Sequence, residues 1–139
     1  MKVYFACSIV GGRQDETAYQ AIVDAMLADG HEVPTAINAG DGWKTLEGSP
    51  DPTEVYRRDT QWIDDSRALV AEVSTPSHGV GYEISYALDR HKAVLCLYKR
   101  GVRVSKMITG NTMSGLQVSE YRDLDEAVAI VRAFVSKLE

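Results

Sequence analysis

Two short and almost unbroken apolar runs do most to limit what this chain can fold into. They are residues 68–73 (Ala-Leu-Val-Ala-Glu-Val) and 93–98 (Ala-Val-Leu-Cys-Leu-Tyr). Such runs suit parallel strands that helices cover on both faces, because a half-solvated strand would alternate apolar and polar residues. A helical pattern at about 80–90 lies between them, as in a βαβ unit. The two runs therefore predict an α/β domain.

Further strand and helix patterns continue this alternation along the chain. The strands are expected at 2–8, near 31–37 and near 115–119, and the helices at 15–29, 51–66 and 123–138. The helix at 51–66 has a clear start signal, with Asp51 as the cap, Pro52 in the first turn and Glu54 after it. We predict a single domain spanning 1–139, a flavodoxin-like, Rossmann-like three-layer α/β sandwich whose five-stranded parallel sheet has the order 2-1-3-4-5.

The composition argues against several classes of partner. The net charge of −5 does not favour a nucleic-acid surface, which needs a basic face, although a small anion needs only a few local donors. No apolar run approaches the ~20 residues that cross a bilayer, and residues 1–4 lead directly into a strand pattern rather than a signal peptide. Cys7 and Cys96 both fall in apolar strand patterns, so we expect them to be free, buried thiols in a protein of a reducing compartment. We expect a cytoplasmic protein without a metal, a membrane or a nucleic-acid polymer as partner.

Two carboxylates lie where a folding argument would not put them. Asp59 shares a helical face with Val55 and Ile63, and Glu83 shares one with Ile84. A buried carboxylate is costly unless it is paired, hydrogen-bonded or protonated, and paired carboxylates are the usual equipment for breaking glycosidic bonds. Simpler readings stay open, because Glu83 could complement a helix dipole from the first turn and Asp59 could pair with a neighbouring arginine on the surface.

The predicted sheet order places a ligand crevice between its first and third strands. The loops at 8–13 and 74–81 end there, both carry Gly and Ser, and both lead into helices whose N-termini favour phosphate. Gly-rich turns between strand and helix are common, so either loop alone is weak evidence. Glu72 is a third carboxylate expected near the crevice. Tyr4 lies beneath the first loop, where a strand tyrosine is more often a core residue.

Several blocks of the sequence resemble one known family. They are residues 4–13, 59–62, 71–83, 94–97 and 103–108, and the most specific is the Glu-Val-x-x-Pro-Ser-x-Gly-Val-Gly-Tyr-Glu pattern that ends at Glu83. Together they resemble the 2′-deoxynucleoside 5′-monophosphate N-glycosidases, a branch of the wider nucleoside 2-deoxyribosyltransferase group. The resemblance covers most of the chain.

The resemblance implies a homodimeric hydrolase that cleaves the base–sugar bond of nucleoside 5′-monophosphates without a cofactor. Glu83 matches the nucleophile that attacks C1′, Asp59 matches the acidic partner that assists departure of the base, and Tyr4 matches a tyrosine near the sugar. The implied substrate and phosphate contacts within one subunit are Cys7, Ser8, Ile9, Val10, Gly11, Gly12, Arg13, Ser77, Gly79 and Gly81. Ser105 and Met107 match residues that the neighbouring subunit contributes.

The sequence also departs from the family pattern. Ala36 stands where some members carry a histidine near the base, which leaves Trp43 and His78 as candidates to contact it, and Val10 replaces a basic residue of some members. Relatives that cleave ribonucleotides such as CMP tend to have phenylalanine at the position of Tyr4, so Tyr4 favours deoxyribose. The alternatives are a deoxyribosyltransferase, a CMP-type ribonucleotide N-glycosidase and a nucleotide-sensing module without turnover.

Overall fold

Within residues 1–12, 14–40 and 51–139, which the computed structural model describes, four strands form one parallel sheet. Arg13 and Trp43 lie outside the described residues. The strands lie in chain order across the sheet and are β1 (Val3–Ala6), β2 (Ala68–Glu72), β3 (Ala93–Lys99) and β4 (Leu116–Tyr121). The predicted α/β class and parallel sheet are confirmed, because each connection between neighbouring strands contains a helix.

The four longer helices lie close to where the apolar periodicity predicts them, whereas the short helix at 106–109 is not predicted by it. They are α1 (Glu16–Ala28), α2 (Pro52–Asp65), α3 (His78–Asp89), the short α4 (Lys106–Thr109) and α5 (Leu124–Ser136), with a 3₁₀ turn at Ala36–Ala39. The predicted cap at Asp51 is confirmed, since its carboxylate accepts a hydrogen bond from the Thr53 N–H at 2.8 Å. Among the described helices, none combines the length and apolar character of a bilayer span.

The prediction of a fifth strand at 31–37 is wrong. That segment makes only one parallel bridge, between Glu32 and Lys2, on the outer side of β1. Pro34 follows almost at once and offers no N–H to a ladder, and the chain then turns into the 3₁₀ helix. The next outward N–H of β1, that of Phe5, donates to the Thr35 hydroxyl at 2.9 Å instead of to a neighbouring strand. The four strands that do form keep the relative order predicted for them.

Alternate residues of each strand enter two separate cores, as expected for a sheet covered on both faces. On one face Phe5 and Val70 pack with residues of α1 and α5. On the other, Tyr4 and Leu69 pack with residues of α2 and α3, Ile84 among them. The side chain of Tyr4 therefore points towards the two helices that carry Asp59 and Glu83.

Glu72 is a fully buried carboxylate at the end of β2. Its oxygens accept hydrogen bonds from the Ser74 hydroxyl and, at 3.1 Å, from the Tyr121 hydroxyl. Burial raises the pKa of Glu72 to about 7, and the nearby charge of Asp15 adds to the shift while the hydrogen bonds from Ser74 and Tyr121 oppose it. Because Tyr121 belongs to the α1 and α5 core, Glu72 lies on the sheet face opposite Tyr4.

This raised pKa predicts a pH-dependent stability. Glu72 ionises near pH 4.5 when unfolded and near pH 7 when folded, so its stabilising contribution is complete below pH 4.5 and is lost as the pH rises to about 7. At about 1.4 kcal/mol per pH unit, the free energy of unfolding should fall by roughly 3 kcal/mol across this window. Urea unfolding from pH 5 to 8 should show that Glu72→Gln flattens this slope.

Glu126→Gln is the matched control for that measurement. Hydrogen bonds from Arg122 lower the pKa of Glu126, so this half-buried carboxylate stays ionised across the same window and its substitution should leave the slope unchanged. A Glu72→Gln protein that retains the wild-type slope would contradict the assignment.

Candidate active site

The centre of the candidate site is a hydrogen bond between the sheet and helix α3. The Tyr4 hydroxyl donates to Oε1 of Glu83 at 2.7 Å. Tyr4 is almost completely buried, and burial, followed by the negative charges of Glu83 and Asp59, raises its pKa well above the usual value. The phenol therefore keeps its proton and acts as a fixed donor to the carboxylate.

Asp59 approaches the same place from the middle of α2. Its carboxylate Oδ1 accepts a hydrogen bond from Nε of Arg58 at 2.8 Å and lies 2.8 Å from Nη2 of the same guanidinium in an ion pair, and 14% of its side chain is exposed. Burial raises the pKa of Asp59, and the hydrogen bond and charge of Arg58 oppose that shift. The expectation of a pairing with arginine is correct for Arg58, whose guanidinium also lies 4.9 Å from the centre of the Trp62 ring. The pair is half-buried rather than a surface ion pair.

Asp59 and Glu83 line one cleft of about 540 Å³. The same two residues also border a smaller hollow of about 220 Å³ between α2 and α3. The larger volume is in the range of small-molecule sites. Of the residues expected to contact substrate or phosphate, the structure places six in the cleft wall: Cys7, Ile9, Val10, Gly11, Ser77 and Gly79.

The N-terminus of α3 faces this cleft. The Ser77 hydroxyl caps the helix by accepting from the Val80 N–H at 3.4 Å, and His78 and Gly79 of the first turn also line the wall. The first N–H groups of a helix have no partner within it and carry a partial positive charge. This end of the cleft is therefore suited to a phosphate group.

The loop after β1 lies in direct contact with the loop after β2. A Cβ atom built on Gly11 would stand 2.4 Å from the carbonyl oxygen of Pro76, so a larger residue would push the two walls of the cleft apart. Only glycine permits this approach. Gly11 is expected at the site both from the Gly-rich loop and from the family resemblance, whereas the reason that this position needs glycine is a contact between distant parts of the chain.

Other expected residues lie elsewhere. Ser8 is buried behind the loop, and Gly12 has a φ of +125° and does not line the cleft. Gly81, Ser105 and Met107 line a separate hollow of about 390 Å³, which shares its wall at 76–78 with the cleft.

Two positional expectations are corrected by the structure. Glu83 is the sixth residue of α3, which begins at His78, so it lies in the second turn, where a helix dipole explains little. Glu72, expected near the crevice, points to the opposite face of the sheet. Val55 is a further wall residue that was not predicted, although its position one turn before Asp59 on the same helical face is a signal for it.

Comparison with known proteins places the chain in a family. The family model described as nucleoside 2-deoxyribosyltransferase matches residues 3–125. The chain belongs to the nucleoside 2-deoxyribosyltransferase family. Its recognition from the sequence blocks is confirmed.

Members of this family include close relatives over nearly the whole chain. A Danio rerio protein named 5-hydroxymethyl-dUMP N-hydrolase is 36% identical over 141 residues, with 99% of this chain and 98% of the relative covered. A Methanosarcina mazei protein, provisionally named 2′-deoxynucleoside 5′-phosphate N-hydrolase 1, is 38% identical over 136 residues, with 98% and 84% covered. The solved structure of a Clostridium botulinum CMP N-glycosidase shares the fold, with a TM-score of 0.74, 18% identity, and 96% and 99% of the chains covered.

The loop contact at Gly11 generates a prediction about stability. Gly11→Ala should lower the free energy of unfolding by about 1–3 kcal/mol, because the new methyl group overlaps the Pro76 carbonyl. Gly79→Ala is the matched change on the other wall, where the nearest atom to the new Cβ is Ser77 Oγ at 4.0 Å. It should not destabilise the protein, since alanine is favoured over glycine inside a helix. Denaturant unfolding of both variants tests this, and equal stabilities would contradict the described contact.

Proposed function

We propose that this protein hydrolyses the N-glycosidic bond of 2′-deoxynucleoside 5′-monophosphates and releases a free base and 2-deoxyribose 5-phosphate. The observation that carries the proposal is the hydrogen bond from the buried Tyr4 to Glu83, inside a cleft that Asp59 also lines. The names of the Danio rerio and Methanosarcina mazei relatives support the same reaction. A hydroxyl at Tyr4, in place of the phenylalanine typical of CMP-type enzymes, favours deoxyribose over ribose.

The phosphate would lie against the N-terminus of α3. Residues 77–79 at that helix end and residues 9–11 of the loop after β1 line the same cleft as the two carboxylates. A nucleotide held by its phosphate would thus present its sugar to Glu83. Only a substrate with a phosphate group would contact both the N-terminus of α3 and the two carboxylates.

Glu83 would act as the nucleophile. Its carboxylate attacks C1′ as the C1′–N bond breaks, and the bonding electron pair leaves with the base, to which Asp59 supplies a proton directly or through water. Water then attacks C1′ of the glycosyl-enzyme, gives one proton to the ionised Asp59 and leaves its hydroxyl on the sugar as Glu83 departs, with net retention of configuration. Asp59 and Glu83 stabilise the positive charge that develops on the sugar, and Tyr4 holds Glu83 in the attacking orientation.

A panel of ribo- and deoxyribonucleoside monophosphates, with released base followed by chromatography, tests the reaction. Glu83→Gln and Asp59→Asn should each lower kcat by at least about a hundredfold, because each removes a group used in bond breaking. Tyr4→Phe should lower kcat/KM by roughly ten- to a hundredfold, the effect of losing one hydrogen bond to a charged group. Wild-type rates in the Glu83→Gln protein would overturn the mechanism.

The same panel separates the rival functions. The family model itself is described by a transferase activity, so a free acceptor base is included in one arm. Formation of a new nucleotide in place of free sugar phosphate would identify a transferase, and preferential cleavage of CMP would identify a ribonucleotide enzyme. Tight nucleotide binding by calorimetry without released base would identify a sensing module.

We also propose that two copies associate so that Ser105 and Met107 of each approach the cleft of the other, in a cytoplasmic enzyme. Met107 is 84% exposed, and both residues lie outside the cleft of their own chain. The family resemblance, which assigns both residues to the neighbouring subunit's site, is the main support for this arrangement. Sedimentation at assay concentrations should give a dimer; a monomer with full activity would contradict this part of the proposal.

A further inference from the structure

The residue that precedes α1 uses its side chain in an unusual way. Asp15 occupies the N-cap position of α1, yet its side chain makes no capping hydrogen bond. A capping carboxylate usually contributes about 1 kcal/mol to a helix. Asp15 is nevertheless buried, so its carboxylate is committed to contacts beyond its own helix.

Those contacts connect chain segments at the carboxyl ends of three strands, β1, β2 and β3. Oδ2 of Asp15 accepts from the Thr75 hydroxyl at 2.8 Å, and Oδ1 accepts from Nζ of Lys99 at 2.9 Å. Asp15 ends the loop after β1, Thr75 lies in the loop after β2, and Lys99 ends β3. One carboxylate therefore fixes the relative positions of the two loops that form the phosphate end of the cleft.

Further hydrogen bonds hold the second loop in the same place. The Thr75 hydroxyl also lies 3.1 Å from Oε1 of Gln14, and the backbone N–H of Lys99 donates to the Ser74 hydroxyl at 2.8 Å. Ser74 in turn donates to the buried Glu72. The loop is thus held by side chains that the proposed chemistry does not use.

We propose that Asp15 and Thr75 are positioning residues for recognition of the 5′-phosphate, an inference that rests on the proposed function. Neither residue lines the cleft. Their contact sets the spacing between the loop at 9–11 and the α3 N-terminus at 77–79. The carboxylates and Tyr4 are held separately by α2, α3 and β1. Weakening the contact should therefore impair phosphate binding and leave the chemistry at C1′ largely intact.

The experiment compares three substitutions in the full chain. Thr75→Val removes the hydroxyl without changing the shape of the side chain, Thr75→Ser keeps the hydroxyl, and Asp15→Asn removes the charge. KM for the best deoxynucleoside monophosphate of the panel should rise at least about tenfold in Thr75→Val and Asp15→Asn, with kcat within about threefold of wild type. Thr75→Ser should restore a KM close to that of wild type.

Asp29→Asn is the matched control. Asp29 makes a comparable ion pair with Arg132, at 2.7 Å and 3.0 Å, which links α1 to α5 beyond the other end of α1. The Asp29→Asn substitution removes one negative charge, as Asp15→Asn does, but at a position far from the two loops. KM and kcat should both stay at wild-type values.

The kinetic pattern distinguishes positioning from a general structural role. Loss of folded protein would lower kcat for every substrate without raising KM selectively. Calorimetry with 2-deoxyribose 5-phosphate and with 2-deoxyribose should show that Thr75→Val weakens binding of the phosphorylated sugar alone. An unchanged KM in both Thr75→Val and Asp15→Asn, or equal losses for the two sugars, would overturn the inference.

Backbone amide exchange separates this outcome from failure of the proposed function. If the wild-type protein cleaves none of the panel, the function fails, while the contact between the loops can still be judged. Amides at 8–12 and at 74, 75 and 77 should exchange faster in Thr75→Val than in Asp29→Asn. Equal exchange in the two variants would show that the contact does not hold the loops.

Discussion

The hydrogen bond between Tyr4 and Glu83 connects the buried sheet with the carboxylate that we propose as the nucleophile. Tyr4 belongs to β1 and is buried beneath the cleft, so its hydroxyl cannot follow a moving partner. Glu83 lies on α3, whose apolar residues, including Ile84, pack against the same sheet. A carboxylate that is held by a buried donor loses little freedom on meeting a substrate, which is what the proposed role of Glu83 as a nucleophile requires.

The two faces of the sheet carry different polar groups. On the α2 and α3 face, Tyr4 is directed towards two carboxylates at a cleft. On the α1 and α5 face, Glu72 is enclosed with Tyr121 and Ser74, and its hydrogen bonds reach the loop after β2. Because buried polar groups must be fully hydrogen-bonded, such a cluster fixes the geometry around it. The loop after β2 is therefore held by hydrogen bonds on one face of the sheet, and it lines the cleft on the other face.

Much of the fold could be predicted from the sequence because its signals are local. The apolar runs and the Asp51 cap predict strands and a helix from neighbouring residues alone. Pro34 is a local signal as well, because a proline inside the segment 31–37 offers no N–H to a ladder and limits it to one bridge. The direction of Glu72 was not predictable in this way. It depends on the register that pairs Tyr4 with Leu69, and register between distant strands is a property of the folded sheet.

In the candidate site, too, some features follow from local sequence and others depend on the folded sheet. Asp59, Glu83 and Tyr4 were recognised from their unusual positions and from family resemblance, and the structure brings them together. The hydrogen bond between Thr75 and Asp15 was not predicted, because nothing in the sequence around either residue indicates a contact with the other. Contacts between residues 60 positions apart arise only when parallel strands place the loops at one end of the sheet.

The side chain of Thr35 beside β1 has a consequence for how copies of this protein can meet. An exposed sheet edge invites another chain to extend it, and proteins commonly block this route. Here the outward amides of β1 are occupied, that of Val3 by the Glu32 carbonyl and that of Phe5 by the Thr35 hydroxyl. Continuous intermolecular β-structure is therefore disfavoured at the β1 border of the sheet.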